Sequence, residues 1–558
     1  MDPKRLVLSV IFAVSVFILW ENWNRYSNPP QPVTAASQAG SAASQGVPSA
    51  TPGLGQSAAV AAPGAVAAVP ATGTVADYKS QPRAVVKTDM IRAEVSALGG
   101  DIVHLELLKH KATGDLANNF VILDEGKVHT YIARSGLLGQ GLPDHRTVFT
   151  LSTNQLELKD GQDSIELRLQ APAAANGVSV TKVLRFHRGS YVVDVSYELA
   201  NTGPAALQAQ AYFELARDGA AAEHTGGMIG GVSTFTGPAR YTEAKHFEKI
   251  AFSDIDKGKD DSKDVTTKDG WIAMVQHYFV SAFLPKGDVE RVFFTRKIAD
   301  NFYGTGVKIS VAVAAGQKTT VDMPLYVGPQ EQKKLKALAP GLDLVVDYGW
   351  VTMIAVPLFW LLSFIHGVVG NWGWAIILLT ILIKAVFFPL SAASYRSMAK
   401  MKTLMPKMKA IQERYASDKM KMNQEMMQLY KTEKVNPMGG CLPILVQIPV
   451  FMALYWTLLG AVEMRQAPWI GWIHDLSAMD PFYVLPVIMA VTMFIQSKLN
   501  PTPPDPVQAK VMMAMPLIFG VMFLWMPSGL VLYWVVNNTL SIAQQWQITR
   551  MIEGGKSK

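Results

Sequence analysis

Beyond Asp347 the chain is dominated by long apolar segments, and these limit the folds open to it more than any other feature. Val351 to Val369 is apolar but contains Pro357 and His366, and Trp372 to Leu390 is apolar apart from Thr380 and Lys384. Further apolar runs follow from Leu442 to Val462, Phe482 to Ile495, Val511 to Met526 and Leu530 to about Ile542. A bilayer core offers no water to satisfy backbone polar groups, so segments of this kind enter it as helices whose hydrogen bonds close internally. A helical membrane bundle is therefore expected in the C-terminal third. With 49% hydrophobic and 17% charged residues over 558 positions, the chain also exceeds one domain and is too apolar for an ordinary soluble enzyme.

The N-terminal part reads differently. Met1-Asp2-Pro3-Lys4-Arg5 precedes an apolar run from Leu6 to Trp20, a pattern that fits either a signal peptide or a signal anchor with its N-terminus in the cytoplasm, Trp20 and Trp23 favouring retention. From Asn28 to about Ala76 the sequence is rich in Ala, Gly, Pro, Ser and Gln and reads as a flexible linker. Between roughly Tyr78 and Leu335, short runs such as Val178 to Phe186, Tyr191 to Leu199 and Val307 to Ala314 carry apolar residues at near two-residue spacing. Turn residues separate them, which predicts a β-sandwich.

Charge decides the topology. The stretch from Ser391 to Val435 carries the basic residues Arg396, Lys400, Lys402, Lys407, Lys409, Arg414, Lys419, Lys421, Lys431 and Lys434 against the acids Glu413, Asp418, Glu425 and Glu433. The positive-inside rule puts this stretch in the cytoplasm. From a cytoplasmic N-terminus, two crossings must come before it, so the segment holding Pro357 and His366 is assigned to the outer interface as an amphipathic helix. Six spans with both ends cytoplasmic then satisfy the charges. The boundaries are an anchor over 1–26, a linker over 27–77, a β domain over 78–335 and an interfacial helix within 336–370. A second span follows over 371–390, then a basic hairpin over 391–436, four more spans within 437–550 and a tail over 551–558. The net charge of +7 is thus placed at a membrane surface, which favours anionic lipids and argues against specific DNA binding.

Lys384 is the foremost site candidate, because a charge at a helix centre costs roughly 2.5 to 3.5 kcal/mol to insert. Snorkelling of its stem toward the cytoplasmic headgroups is the bland alternative. Thr380 lies one turn before it, Gln447 interrupts the next span, and Asn537 and Asn538 interrupt the last. Together they suggest a hydrophilic groove, with Tyr533 and Trp534 lining it if the last span packs on the second. In the basic loop Met398, Met401, Met405 and Met408 recur at three- and four-residue spacing, beside Lys400 and Lys402. They serve either as the seam of a helical hairpin or as an adaptable surface for varied clients and the ribosome. The single cysteine, Cys441, excludes an intrachain disulfide and a cysteine-cluster metal site. Gly555-Lys556-Ser557 mimics the end of a P-loop, but position 550 is Arg and no strand precedes it. Catalysis and cofactors are not expected.

Several strings are similar to those of the YidC, Oxa and Alb family of membrane protein insertases. They are Asn371-Trp372-Gly373, Tyr395 with Ser397-Met398-Ala399-Lys400-Met401, Glu433-Lys434-Val435-Asn436-Pro437 with Gly439-Gly440-Cys441, Arg465-Gln466-Ala467-Pro468, Trp472-Ile473-His474-Asp475-Leu476-Ser477 and Pro527-Ser528-Gly529-Leu530. The resemblance implies a groove open to cytoplasm and lipid but closed outside, with one positive charge that aligns with Lys384. Many bacterial members look similar but carry Arg there. It also implies a periplasmic supersandwich between the first and second spans, and nascent membrane proteins, the Sec translocon and the ribosome as partners. A solute transporter using Lys384 as an anion ligand, or a scaffold in which Lys384 snorkels, are the alternatives.

Overall fold

The computed structural model describes Val69, residues 78–433 except 114, 127–128, 175, 220–233 and 260–261, then residues 442–500 and 506–554. The expected N-terminal anchor, most of the linker, Lys434 to Cys441 and the last four residues lie outside the described residues.

The first half is all-β. Its strands are β1 (Arg83–Lys87), β2 (Ile91–Ser96), β3 (Ile102–Ala112), β4 (Asp115–Glu125), β5 (Thr130–Leu138), β6 (Thr150–Leu151) and β7 (Gln155–Glu157). Next come β8 (Ser164–Gln170), β9 (Val178–His187), β10 (Val192–Asn201), β11 (Leu207–Asp218), β12 (Gly237–Thr242) and β13 (His246–Lys249). After the short helix α1 (Phe252–Asp256) the chain continues as β14 (Val265–Thr267), β15 (Trp271–Val275), β16 (Phe279–Phe283), β17 (Arg291–Ala299), β18 (Phe302–Val313) and β19 (Lys318–Pro329). Ten strands form one sheet in the order β14-β17-β18-β11-β5-β4-β3-β2-β1-β7, and nine form the other in the order β13-β12-β15-β16-β19-β10-β9-β8-β6. The pairings are antiparallel apart from β1 with β7.

Alternation in the sequence becomes alternation in space. Along β10 every second residue is buried, with Val195 opposite Leu184 of β9 and Met323 of β19. Val193, Val195 and Tyr197 meet Phe213 and Leu215 of the facing sheet in one core. At about 25 cal/mol per Å² of apolar surface, this shared core is what joins the two sheets.

The β domain ends later than expected. Helix α2 (Gln332–Leu338) and two 3-10 turns, Leu342–Val345 and Gly349–Val351, follow β19. Leu335, Leu342, Val345, Val346, Tyr348 and Val351 pack into the sandwich core. Residues 342–351 therefore belong with the β domain and not with an interfacial helix, because Leu342, Val345, Val346, Tyr348 and Val351 are buried in its core.

The helices that follow are α3 (Thr352–Val369), α4 (Trp372–Val386), α5 (Phe388–Arg414), α6 (Lys419–Thr432), α7 (Leu442–Gly460), α8 (Val484–Leu499), α9 (Pro506–Met522) and α10 (Ser528–Gly554). Among the described residues, α3 alone is long and apolar enough by itself to cross a membrane. It also lacks the polar face of an amphipathic helix: Met353, Trp360, Phe364 and Val368 face outward, while Ala355, Phe359 and Leu362 are buried. The second apolar run ends four residues before the expected boundary, since α4 and α5 meet at a 66° bend around Phe387. Pro389 in the first turn of α5 explains the restart, its missing N–H being no loss there. Lys384 consequently sits in the last turn of α4.

Arg465 and Gln466 tie this bundle to the β domain. Gln466 exchanges hydrogen bonds with the N–H and carbonyl of Lys111 at 3.1 and 2.9 Å, and Arg465 donates to the same carbonyl while lying over Phe120 and Phe279. The ring of His277 meets the carbonyl of Leu459 at 3.0 Å.

Burial lowers the imidazoles of His110, His145 and His277 to about 4 from an ordinary 6.5, helped by Arg465 at His110 and His277 and by Arg134 at His145. The unfolded chain takes up these protons near pH 6.5 and the folded chain only near 4, so stability is lost across that window as pH falls. Asp101, raised by burial to about 6, acts in the opposite sense and offsets one of the three. The Tm of the β domain in the purified chain is therefore expected to be lower at about pH 5 than at about pH 7.5. A higher Tm at the acid pH, measured by tryptophan fluorescence, would contradict this.

Candidate functional site

The end of the bundle near the β domain is closed by the strings that carry the family resemblance. Asn371 caps α4, its side chain accepting from the N–H of Trp374 at 3.1 Å and donating to the carbonyls of Pro468 and Trp469 at 3.1 and 3.2 Å. Gly373 lies so close to the Trp469 ring that a Cβ there would come within 2.1 Å of it. Ser528 begins α10 with its hydroxyl on the Asp475 carbonyl at 2.8 Å and its N–H on Ala478 at 2.7 Å. Asp480 accepts from Trp472 Nε1 at 2.9 Å and caps α8 through the N–H of Leu485 at 2.7 Å. Below this closure, Ile376, Leu379, Leu458, Met489 and Leu532 make a dry core.

Toward the other end the core opens into a cavity of about 370 Å³ between α4, α5, α7, α8, α9 and α10. Its lining is divided by chemistry. Lys384, Gln447, Gln496, Asn500, Asn537, Asn538 and Ser541 supply polar atoms, and Met398, Met493, Met512, Met515, Ile448 and Phe451 supply apolar surface. None of the lining residues is acidic. Lys384 is 5% exposed and its Nζ donates to Ser541 Oγ at 2.7 Å. The Ser541 hydroxyl in turn donates to the Asn537 carbonyl at 2.7 Å, which leaves its lone pairs for the ammonium. Gln447 Nε2 donates to Asn537 Oδ1 at 2.6 Å. The buried ammonium is thus held by the Ser541 hydroxyl, which is itself set by Asn537, and among the described residues no carboxylate pairs with it.

The expected site residues separate accordingly. Lys384, Gln447, Tyr533 and Trp534 converge on the cavity. Tyr533 and Trp534 also pack on Phe451, with ring centroids 6.3 and 4.9 Å away. Thr380 does not reach the cavity. It is buried in the dry core and its hydroxyl returns to the Ile376 carbonyl of its own helix at 2.7 Å, satisfying the only polar group it has.

Of the hairpin residues, Met398 lines the cavity, while Met401 and Met408 pack with Leu404, Met426 and Leu429 as the seam between α5 and α6. Met405 is half-buried, and Lys400 and Lys402 are exposed. The exposed apolar residues of the hairpin include Met420 and Met427, which the expected residues did not contain. Ser541 was missed too. Asn537, Ser541 and Gln545 recur every four residues along α10 and are all buried, a polar stripe that would have disclosed it.

Comparison with known proteins covers the whole chain. The family described as 60Kd inner membrane protein matches residues 364–556, and the YidC periplasmic domain matches residues 83–361. A membrane protein insertase YidC of Aromatoleum aromaticum is 60% identical over 560 residues, covering 100% of this chain and 99% of the relative. One from Dechloromonas aromatica is 54% identical over 558 residues, covering 100% and 98%. A crystal structure of an active YidC insertase aligns with 83% of this chain and 94% of its own, at 18% identity and a TM-score of 0.39.

Two substitutions separate stability from function. Lys384→Met removes a buried charge that lacks a counter-charge and keeps the volume, so the purified chain should gain about 1 kcal/mol or more in thermal unfolding; a loss of stability would count against the buried-charge description. Gly373→Ala should cost about 1–3 kcal/mol through the Trp469 overlap, whereas Gly367→Ala, with nothing within 4 Å of its new methyl group, should change the same unfolding curve little.

Proposed function

The chain belongs to the YidC family of membrane protein insertases, and from that premise we propose that the cavity around Lys384 is the passage by which it transfers clients. It is an inner membrane protein with a periplasmic β domain, and it acts on newly made membrane proteins. A short polar stretch of a client enters the cavity from the cytoplasm and exchanges water for the amides of Gln447, Gln496, Asn500 and Asn537. That shortens the hydrocarbon barrier the stretch must still cross. Lys384 attracts the acidic residues of that stretch, while Met398, Met493, Met512 and Met515 let apolar client residues of varied shape slide toward lipid. The closure at Asn371, Trp469 and Ser528 keeps the passage one-sided. Partition of the client's apolar helix, aided by the membrane potential, drives the transfer without nucleotide.

The observation that carries this reading is the ammonium held inside a cavity with, among the described residues, no acidic side chain, because a structural lysine would be expected to pair or snorkel. The charge asymmetry of the loops supports six crossings with both termini cytoplasmic. It also supports an outer-interface position for α3, whose outward apolar face would lie in hydrocarbon. The exposed Lys400 and Lys402 suit anionic headgroups or a ribosome, and the family resemblance supports the Sec translocon as a partner.

A charge series tests the central step. In proteoliposomes, Lys384→Ala and Lys384→Glu are expected to lower insertion of a single-span client with an acidic translocated tail by about tenfold, equivalent to ~1.4 kcal/mol, while Lys384→Arg retains most of it. If all three variants insert this client at the unsubstituted rate, the electrostatic role is wrong.

A further inference from the structure

One residue of the linker is packed on the β domain. Val69 is 6% exposed and shares an apolar cluster with Leu138, Tyr212 and Phe294. Its carbonyl accepts a hydrogen bond from Arg296 Nη1 at 2.6 Å. The donor is held in place from behind: Arg296 Nε and Nη2 donate to the two oxygens of Glu214 at 2.7 and 2.9 Å. Glu214 is fully buried and also accepts from Arg134 Nε at 2.6 Å. One carboxylate therefore holds two guanidiniums, which orients Arg296 for its bond to the Val69 carbonyl. Val69 precedes a proline, which biases its backbone toward the extended form that presents a carbonyl sideways to a fixed donor.

We propose that Leu138, Tyr212 and Phe294, with Arg296 at the rim, form a binding site for an extended peptide carrying a valine-sized side chain, and that its ligand is the chain's own linker at Val69. Val69 lies nine residues before Tyr78, which is itself buried with its hydroxyl on Asp101 at 3.0 Å. Seating Val69 shortens the tether to the N-terminal apolar segment. Releasing it would add those nine residues, up to about 30 Å of reach at about 3.3–3.6 Å per residue. The site thereby sets how far the β domain can move from its anchor.

The test uses the full chain in detergent with Cys441→Ser. Val69→Cys paired with Phe294→Cys should be joined by a short thiol crosslinker at least about tenfold faster than Val60→Cys paired with Phe294→Cys, since only the first pair starts in contact. Because Phe294→Cys could impair folding, a second arm leaves the domain intact. A fluorescent peptide of residues 64–74 should bind saturably to the chain carrying Val69→Asp, and the peptide with the same substitution should bind about tenfold more weakly. Equal crosslinking from positions 60 and 69, failure of the peptide to bind, or equal competition by an unrelated apolar peptide would each overturn the proposal.

Discussion

A lysine ammonium kept inside a membrane bundle with, among the described residues, no carboxylate beside it is the constraint on which the rest of this structure depends. Desolvating such a charge is costly, and the Ser541 hydroxyl is the partner that offsets part of it. The arrangement therefore needs Ser541 to accept from Lys384. Ser541 must in turn be committed as a donor to Asn537, and Asn537 is engaged by Gln447. A cavity large enough for a polar segment follows from leaving this end of the bundle unfilled, while the same helices pack tightly a few turns away.

The opposite end supplies the rigidity that the cavity lacks. Asn371, Gly373, Trp469, Asp475, Asp480 and Ser528 make the closure through caps, close packing and hydrogen bonds to the backbone. Arg465 and Gln466 extend it to the β domain by holding Lys111. Gln466 adopts a left-handed backbone with φ of 59° to aim its amide there, a local strain that the surrounding contacts must outweigh. The β domain is thereby fastened to the closed side of the bundle.

Much of this was legible in the sequence because it is written as periodicity. Two-residue alternation located β9, β10 and β18 to within a few residues, and the methionine spacing located the seam at Met401 and Met408. What failed depended on partners distant in sequence. Thr380 looked like a groove residue, but its own helix offered a carbonyl first. Residues 342–351 looked like the approach to an interfacial helix because nothing local announces that their apolar side chains pack into the core of the β domain. The end of α4 was misplaced because apolarity continues through Phe387 and Phe388 across the bend. Ser541 was overlooked because a serine in an apolar helix is usually satisfied within it; its second role exists only once α4 and α10 are side by side.

The central claim is that clients pass through the cavity and not merely beside it. Photocrosslinking groups placed at Gln447 and Met493 inside the cavity, and at Thr380 in the dry core, decide this with ribosome-bound nascent chains of a single-span client. The account predicts adducts from positions 447 and 493 and few or none from 380. Absence of adducts from both cavity positions, with insertion still proceeding, would contradict it and favour a scaffold in which Lys384 serves only the fold.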